Sequence, residues 1–430
     1  MIKQNRVYKD SLILGFAIFS MYFGAGNIIF PPYLGLTSAS DWHISFFSYF
    51  LADIGFATFA MFALLKVGGN VDDLTSKLGK TAGILLMSSI ILCIGPLIAL
   101  PRTGATTYEM LVVPMFGDSF KNSIITSILY YALIMFFTFK PTVMIEILGR
   151  VLTPLLFFGL MFLIIKGFVT PIGEIAQNSA NENLFLDGLV MGYQTLDVLA
   201  ALAFGIIIIK IVKAKGYNDT KTSFKIVGYA SILAAFGIMI VYFGLSYLGA
   251  TASGLFEQNI AKAVLLNKII NILLGDYGNI FLGIIVFLAC FTTGAALVSV
   301  TAEYFSKLSN RKISYKTLVV IVTIFSIFVT NIGLEQIISF AGPILGIVYP
   351  AAIVLVILIF FDKYIKNDNV YKFAAFTAMI FCFVEMVLAR LGINLEFLKL
   401  LPLANEGLSW LFPAIFAALL AYFIKPKRKA

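Results

Sequence analysis

The chain has 430 residues, of which 60% are hydrophobic and only 12% charged, with a mean hydropathy of +0.98. That balance excludes an ordinary water-soluble domain, and apolar runs of about 18 or more residues recur from end to end, so nearly the whole chain is expected inside a lipid bilayer. The net charge of +9 sits in the loops between these runs, where it reads as an orientation signal and calls for no nucleic-acid partner. No soluble domain, signal-peptide cleavage pattern or lipidation box is expected.

Twelve hydrophobic segments follow one another, at approximately 11–36, 43–66, 81–114, 122–139, 147–169, 188–210, 226–249, 278–305, 316–333, 336–361, 372–391 and 408–424. The first is interrupted at its centre by Phe23-Gly24-Ala25-Gly26-Asn27, with Pro31-Pro32 close behind. Glycine and asparagine weaken a helical ladder at a depth where no water replaces lost hydrogen bonds. Such a break is either a hinge or close-packing glycine pair, or the lining of a binding cavity with a half-helix N-terminus turned toward an anion. The second segment begins at the single histidine, His43, and carries Asp53. The third is too long for an upright helix and contains Pro96 and Pro101, which predicts a kink or tilt.

The third segment also holds Arg102 and Glu109, seven residues apart and so near one helix face. They read as a structural pair, a gate element or groups wet at the outer end. The sixth segment is broken in turn by Gly192-Tyr193-Gln194-Thr195-Leu196-Asp197. It lies five segments after the first break, the offset expected of an inverted repeat. In the eighth segment Ala289, Thr292 and Thr293 stand at i, i+3 and i+4, placing one carbonyl and two hydroxyls on one face. Read alone, these threonines either bond back to their own helix or offer hard oxygens to a cation. Glu385 in the eleventh segment, like Asp53, has no neighbouring motif and reads as structurally paired. Cys93, Cys290 and Cys382 are scattered without metal-ligand spacing and read as buried free thiols; one histidine makes no metal site.

Basic residues cluster in alternate loops. Lys3, Arg6 and Lys9 precede the first segment; Lys66, Lys77 and Lys80 follow the second; Lys140 and Arg150 lie between the fourth and fifth. Lys210, Lys213, Lys215, Lys221 and Lys225 lie between the sixth and seventh, and Lys307, Arg311, Lys312 and Lys316 after the eighth. The 363–372 loop and the 425–429 tail complete the set. The other loops carry Asp41, Asp118, Glu174, Glu182 and Glu257. By the positive-inside rule both termini are expected in the cytoplasm.

Several ordered motifs resemble one family, the branched-chain amino acid:cation symporters of the BrnQ type. They are the stretch from Met21 to Pro32, Pro101-Arg102-Thr103 with Thr107-Tyr108-Glu109, and Gly192 to Asp197. Leu288 to Thr293 through Glu303-Tyr304-Phe305 and Pro343-Ile344-Leu345 through Tyr349-Pro350 complete the likeness, which spans essentially the whole chain. The resemblance implies a LeuT-like fold: an all-α integral membrane protein of twelve transmembrane helices in a single transporter domain. Residues 11–169 and 188–361 would form two inverted five-helix repeats, with helices 1 and 6 broken, and 372–424 two extra helices. It also implies uptake of leucine, isoleucine or valine coupled to sodium in a bacterial cell membrane, with no obligate protein partner.

Under that expectation, the N–H groups of Ala25 and Gly26 suit a substrate carboxylate, and a glycine lets ligand and backbone approach. The breaks at Phe23, Gly24 and Asn27 and at Tyr193, Gln194 and Thr195 supply acceptors for the ammonium, with Asp197 beside it. Tyr108 and Phe204 are expected in the apolar wall. For sodium, the LeuT-like group implies carbonyls at Ser20 and Phe23 joined to Ala289, Thr292 and Thr293. A channel would want a continuous polar stripe, an intramembrane enzyme a catalytic constellation, and a primary pump a nucleotide loop; none is present in the sequence. Coupling to protons through Asp197 or Glu109 is the alternative within transport.

Overall fold

Backbone amides have no water to turn to in hydrocarbon, so apolar segments must close their hydrogen bonds internally. In the computed structural model, which describes residues 4–69, 71–139, 151–177, 179, 183–393, 398, 401–404 and 407–424, the apolar segments are helices, and no strand occurs among the described residues. Helices α1 (Gln4–Tyr22) and α2 (Ala25–Ser38) are separated by Phe23 and an extended Gly24. A turn at Ala39 leads into α3 (Trp42–Phe50), a π-turn over Leu51–Gly55 and α4 (Phe56–Lys66). The short α5 (Val71–Ser76) precedes α6 (Lys80–Leu92).

The expected kink in the third segment is a π-turn over Cys93–Leu97. Gly95 leaves helical geometry there (φ −85°, ψ −124°), and Pro96 cannot donate to the ladder. The chain then continues through α7 (Ala99–Thr107), a second π-turn over Tyr108–Val112, α8 (Val113–Phe116) and α9 (Phe120–Thr138). Next are α10 (Thr153–Val169), α11 (Leu184–Thr195) and α12 (Asp197–Ala214). Between the last two, Leu196 adopts a left-handed conformation (φ 71°), which interrupts the helix. The remainder comprises α13 (Thr220–Thr251), α14 (Lys262–Leu274), α15 (Asp276–Leu308), α16 (Tyr315–Thr330), α17 (Leu334–Phe360), α18 (Asn369–Arg390) and α19 (Leu411–Phe423).

Among the described residues, eight helical stretches are long and apolar enough to cross a membrane, and Thr153–Val169, Tyr315–Thr330 and Leu411–Phe423 are shorter apolar helices. The expected start of the fifth segment at 147, and Lys3, Lys140, Arg150, Glu182 and the 425–429 tail, lie outside the described residues.

Glycines decide which helices touch. A Cβ at Gly35 would collide with the Ser246 carbonyl, and one at Gly249 with the Pro32 carbonyl, so α2 and α13 cross backbone to backbone. Gly188 and Gly192, four residues apart on α11, do the same against Ser45 and Ser48 of α3 and the backbone at Tyr49 and Asp53. Small residues at that spacing allow close helix approach where no hydrophobic effect drives association. These contacts bring the interruption after α1, the interruption after α11 and the π-turn at Asp53 into one buried region. At the basic end, Lys215 pairs with Asp10 at 2.7 Å and the Tyr217 hydroxyl donates to the same carboxylate at 2.7 Å, tying α1 to the loop after α12.

Candidate functional site

Asn27 organises the meeting point of the two interruptions. Its Oδ1 accepts the Gly24 N–H at 3.0 Å, so the side chain closes back on the residue before α2. Its Nδ2 donates to Asp197 Oδ2 at 2.8 Å and to the Tyr242 hydroxyl. Tyr242 in turn donates to Asp53 Oδ2 at 2.6 Å, and Thr195 Oγ1 donates to Asp53 Oδ1 at 2.7 Å. Asn27, Asp53, Thr195, Asp197 and Tyr242 are all buried. Each donor in this chain is neutral, so the two buried acids are satisfied by hydrogen bonds and not by an ion pair. Both N–H groups of the asparagine amide are committed, so it holds the two interruptions together and has no donor left for a ligand.

Arg102 joins from α7. Nη1 donates to the Gln194 carbonyl at 2.5 Å and Nη2 to the Thr195 carbonyl at 3.1 Å, the free carbonyls at the end of α11. Those carbonyls, expected to receive an ammonium, are therefore occupied. The space at Gly26 likewise serves Arg102, since a Cβ there would stand 2.9 Å from Nη2. Arg102 and Glu109 do not pair: Glu109 accepts the Leu334 N–H at 3.3 Å and faces elsewhere.

On the opposite side of Gly24 is α15. The Thr292 hydroxyl lies 3.1 Å from the Ser20 carbonyl and 2.9 Å from that of Ala289, and the Thr293 hydroxyl 3.1 Å from the Ser20 carbonyl. A Cβ at Gly24 would stand only 3.1 Å from Thr293, so the glycine permits this approach. Ser20, Ala289, Thr292 and Thr293 thus form a buried cluster of neutral oxygens next to Phe23, with both hydroxyls turned across to α1. Neutral hard oxygens without a carboxylate fit a monovalent alkali cation better than a transition metal. No cluster of three or more His, Cys, Asp or Glu able to hold a metal occurs among the described residues.

Gly24, Ala25, Asn27, Arg102, Thr195, Asp197 and Thr293, with Tyr22, Ile94 and Leu297, line a cavity of about 20 Å³. That volume admits a water and no amino acid, so ligand entry requires helix movement. Tyr193 stacks on Tyr349 at 4.6 Å, and Phe204 lies behind Tyr22 at 6.1 Å. Tyr108 is not brought to this region. Its hydroxyl donates to Asp118 at 2.6 Å and accepts from the Ser119 N–H, and it lines a second, open cavity of about 860 Å³ with Glu109, Asn267 and Lys268.

Sequence reasoning read Asp53 as structurally paired without placing it at this site, and it missed Tyr242 and the placement of Arg102. A signal existed for Asp53: the Gly188–Gly192 spacing marks α11 for close packing. An intramembrane acid is also a functional candidate by default.

The family described as "Branched-chain amino acid transport protein" matches residues 7–428. The branched-chain amino acid transport system 2 carrier protein of Pseudomonas aeruginosa is 34% identical over 417 residues, 96% of this chain and 95% of that one. The branched-chain amino acid permease BrnQ of Escherichia coli is 33% identical over 96% of this chain and 95% of its own length. BraB of Bacillus subtilis, likewise a branched-chain amino acid permease, is 33% identical over 100% and 99%. Among solved structures, a closed nucleobase-cation-symport-1 family transporter with bromovinylhydantoin bound aligns with TM-score 0.63 at 13% identity, covering 96% of this chain and 91% of that one. MhsT in complex with L-phenylalanine aligns with TM-score 0.58 at 17% identity, covering 96% and 97%. These two likenesses establish the fold as that of LeuT-like transporters. With sequence similarity across nearly the whole chain, the protein belongs to the branched-chain amino acid transport protein family, a family of transporters and not of enzymes.

Proposed function

We propose that the protein is a symporter that imports leucine, isoleucine or valine across a bacterial cell membrane, driven by sodium, by alternating access. Twelve spans are proposed, the first formed by α1 and α2 and the sixth by α11 and α12, arranged as two inverted repeats and two extra helices. Both termini are assigned to the cytoplasm by the basic loops.

The observation that most supports sodium is the Ser20 carbonyl, approached at 3.1 Å by both the Thr292 and the Thr293 hydroxyls. Two hydroxyls and the carbonyls of Ser20 and Ala289 are ready ligands for a small hard cation, with the Phe23 carbonyl proposed as the fifth. The ion would join α1 to α15 and so favour one arrangement of the helices. Substrate is proposed to occupy an enlarged form of the small cavity. The start of α2 at Ala25 and Gly26 would face its carboxylate and Asp197 its ammonium, with Tyr22, Ile94 and Leu297 forming the apolar wall.

Radiolabelled leucine uptake by proteoliposomes tests the reading. A sodium gradient imposed at equal pH should drive accumulation, and a proton gradient without sodium should not. Accumulation driven only by protons would favour the second reading, coupling through Asp197. That reading draws on the two buried acids Asp53 and Asp197, linked by neutral donors and without an ion pair among the described residues. No uptake under either gradient would contradict both.

A further inference from the structure

The Arg102 guanidinium is a cation buried at the centre of the protein, with Asp197 and Asp53 near enough to act on it but not in direct contact. The residue is 3% exposed, and its two terminal nitrogens are held by carbonyls, which satisfy hydrogen bonds but supply no countercharge. No Asp or Glu of the described residues lies within ion-pair distance of it. Those two bonds use two of its five N–H groups, and Nε is buried with no hydrogen-bond partner among the described residues. The side chain lines the small cavity together with Ala25 and Asp197. It is also held in place: Phe30 lies under it at 5.6 Å and Gly26 leaves the room it needs.

A buried cation with unused donors, on a side chain that lines a cavity, is costly unless an anion arrives. The same cavity has an acidic pole, because Asp197 lines it, accepting the Asn27 amide on Oδ2 and sharing a carboxyl–carboxyl hydrogen bond with Asp53. One basic and one acidic pole in a single cavity match an α-amino acid zwitterion in both charge and order. A guanidinium is planar, permanently charged and weakly hydrated, which suits it to a carboxylate in a dry site.

We infer that Arg102 binds the α-carboxylate of the substrate, sharing it with the N–H groups that open α2, and so restricts the site to free amino acids. The inference rests on the amino-acid transport reading above. Arg102 then has two tasks, closing the end of α11 and receiving the substrate, and the first alone would make it a positioning residue only.

Equilibrium binding of leucine and leucinamide to the purified full chain in saturating sodium separates these tasks, because leucinamide lacks the carboxylate and keeps the rest. The wild-type protein should prefer leucine by about a hundredfold or more. Arg102→Gln should lose that preference, with leucine weakened at least a hundredfold and leucinamide changed by less than about threefold. Arg102→Lys, which keeps the charge and loses the fork, should retain part of the preference and serves if the Gln variant does not fold. Equal loss of both ligands in either variant, or an unchanged preference, would reduce Arg102 to a pin for α11. A wild-type protein that binds both ligands equally overturns only this assignment, whereas one that binds neither overturns the transport reading and the assignment with it.

Discussion

At the scale of single residues, the side chains around the two interruptions divide into those that are used up and those that retain capacity. The donors of Asn27 are used up, both amide hydrogens being on Asp197 and Tyr242 while the amide oxygen accepts from Gly24. Thr292 and Thr293 retain lone pairs, because a hydroxyl that donates to a carbonyl can still accept or coordinate. Replacing either with Val keeps the shape and removes one oxygen. The sodium concentration for half-maximal uptake should then rise about tenfold or more, equivalent to about 1.4 kcal/mol. Leucine affinity at saturating sodium should change far less, since mass action refills a weakened ion site. Unchanged sodium dependence in the double variant would mean that both hydroxyls serve only to join α1 and α15. Asp197→Asn keeps size and the bond to Asn27 while removing charge. If Asp197 stays ionised beside the ammonium, leucine binding should weaken about tenfold or more at every pH, in keeping with about 1.5–3 kcal/mol for a charged hydrogen bond. If it carries a proton, the variant should exchange pre-bound leucine but lose proton-driven accumulation. Uptake like that of the wild type would leave Asp197 a structural residue.

At the scale of elements, α11 and α3 form the contact on which the cluster depends. Gly192 lies against Ala52 and the backbone at Tyr49 and Asp53, so a side chain there must push the helices apart or distort them. Gly192→Val should cost about 1–3 kcal/mol of stability by overpacking. It should also lengthen the hydrogen bond from Thr195 to Asp53, which starts three residues along the same helix. Lower thermal stability together with weakened leucine binding is expected, whereas lost binding at unchanged stability would point to a ligand contact at Gly192 itself. Both interruptions were legible in the sequence, because Gly24, Asn27, Gly192 and Asp197 are conspicuous in apolar runs. The partners were not. Asp53 meets Thr195 across 142 residues and Tyr242 across 189, and no local pattern reports pairing over such separations. Arg102 was visible as a costly charge, but its carbonyl partners exist only because Leu196 turns left-handed, a conformation unusual for leucine and set by its surroundings. Tyr108 was misplaced for a related reason: the kink at Gly95 and the π-turn beginning at Tyr108 alter which face of the third segment it shares.

For the molecule as a whole, transport requires that access to the small cavity alternate between two sides, and the charged ends of the helices offer the means. Asp10 joins α1 to the loop after α12 through Lys215 and Tyr217 at the basic end. Asp10→Asn should weaken this tie by about 1 kcal/mol, a factor of about 5 in the population of the open form. A cysteine in place of buried Ser11 should then react correspondingly faster with a thiol reagent supplied on the basic-loop side, and an unchanged rate would show that the tie is not a gate. The sidedness itself follows from charge. Lys210 and Lys213 lie at the end of α12 and Lys215 follows it, whereas Glu174 precedes α11, so this helix pair should carry the chain from the outside to the cytoplasm. An odd number of spans between corresponding breaks inverts the second half relative to the first, and this holds only if α11 and α12 cross together as one interrupted span. Single cysteines at Ser179 and Thr220 flank that span. With Cys93, Cys290 and Cys382 replaced, a membrane-impermeant maleimide applied to intact cells should label Ser179→Cys and spare Thr220→Cys until the membrane is opened. Labelling of both from the same side would mean that the chain turns back at Leu196, and the inverted-repeat arrangement would fall with it.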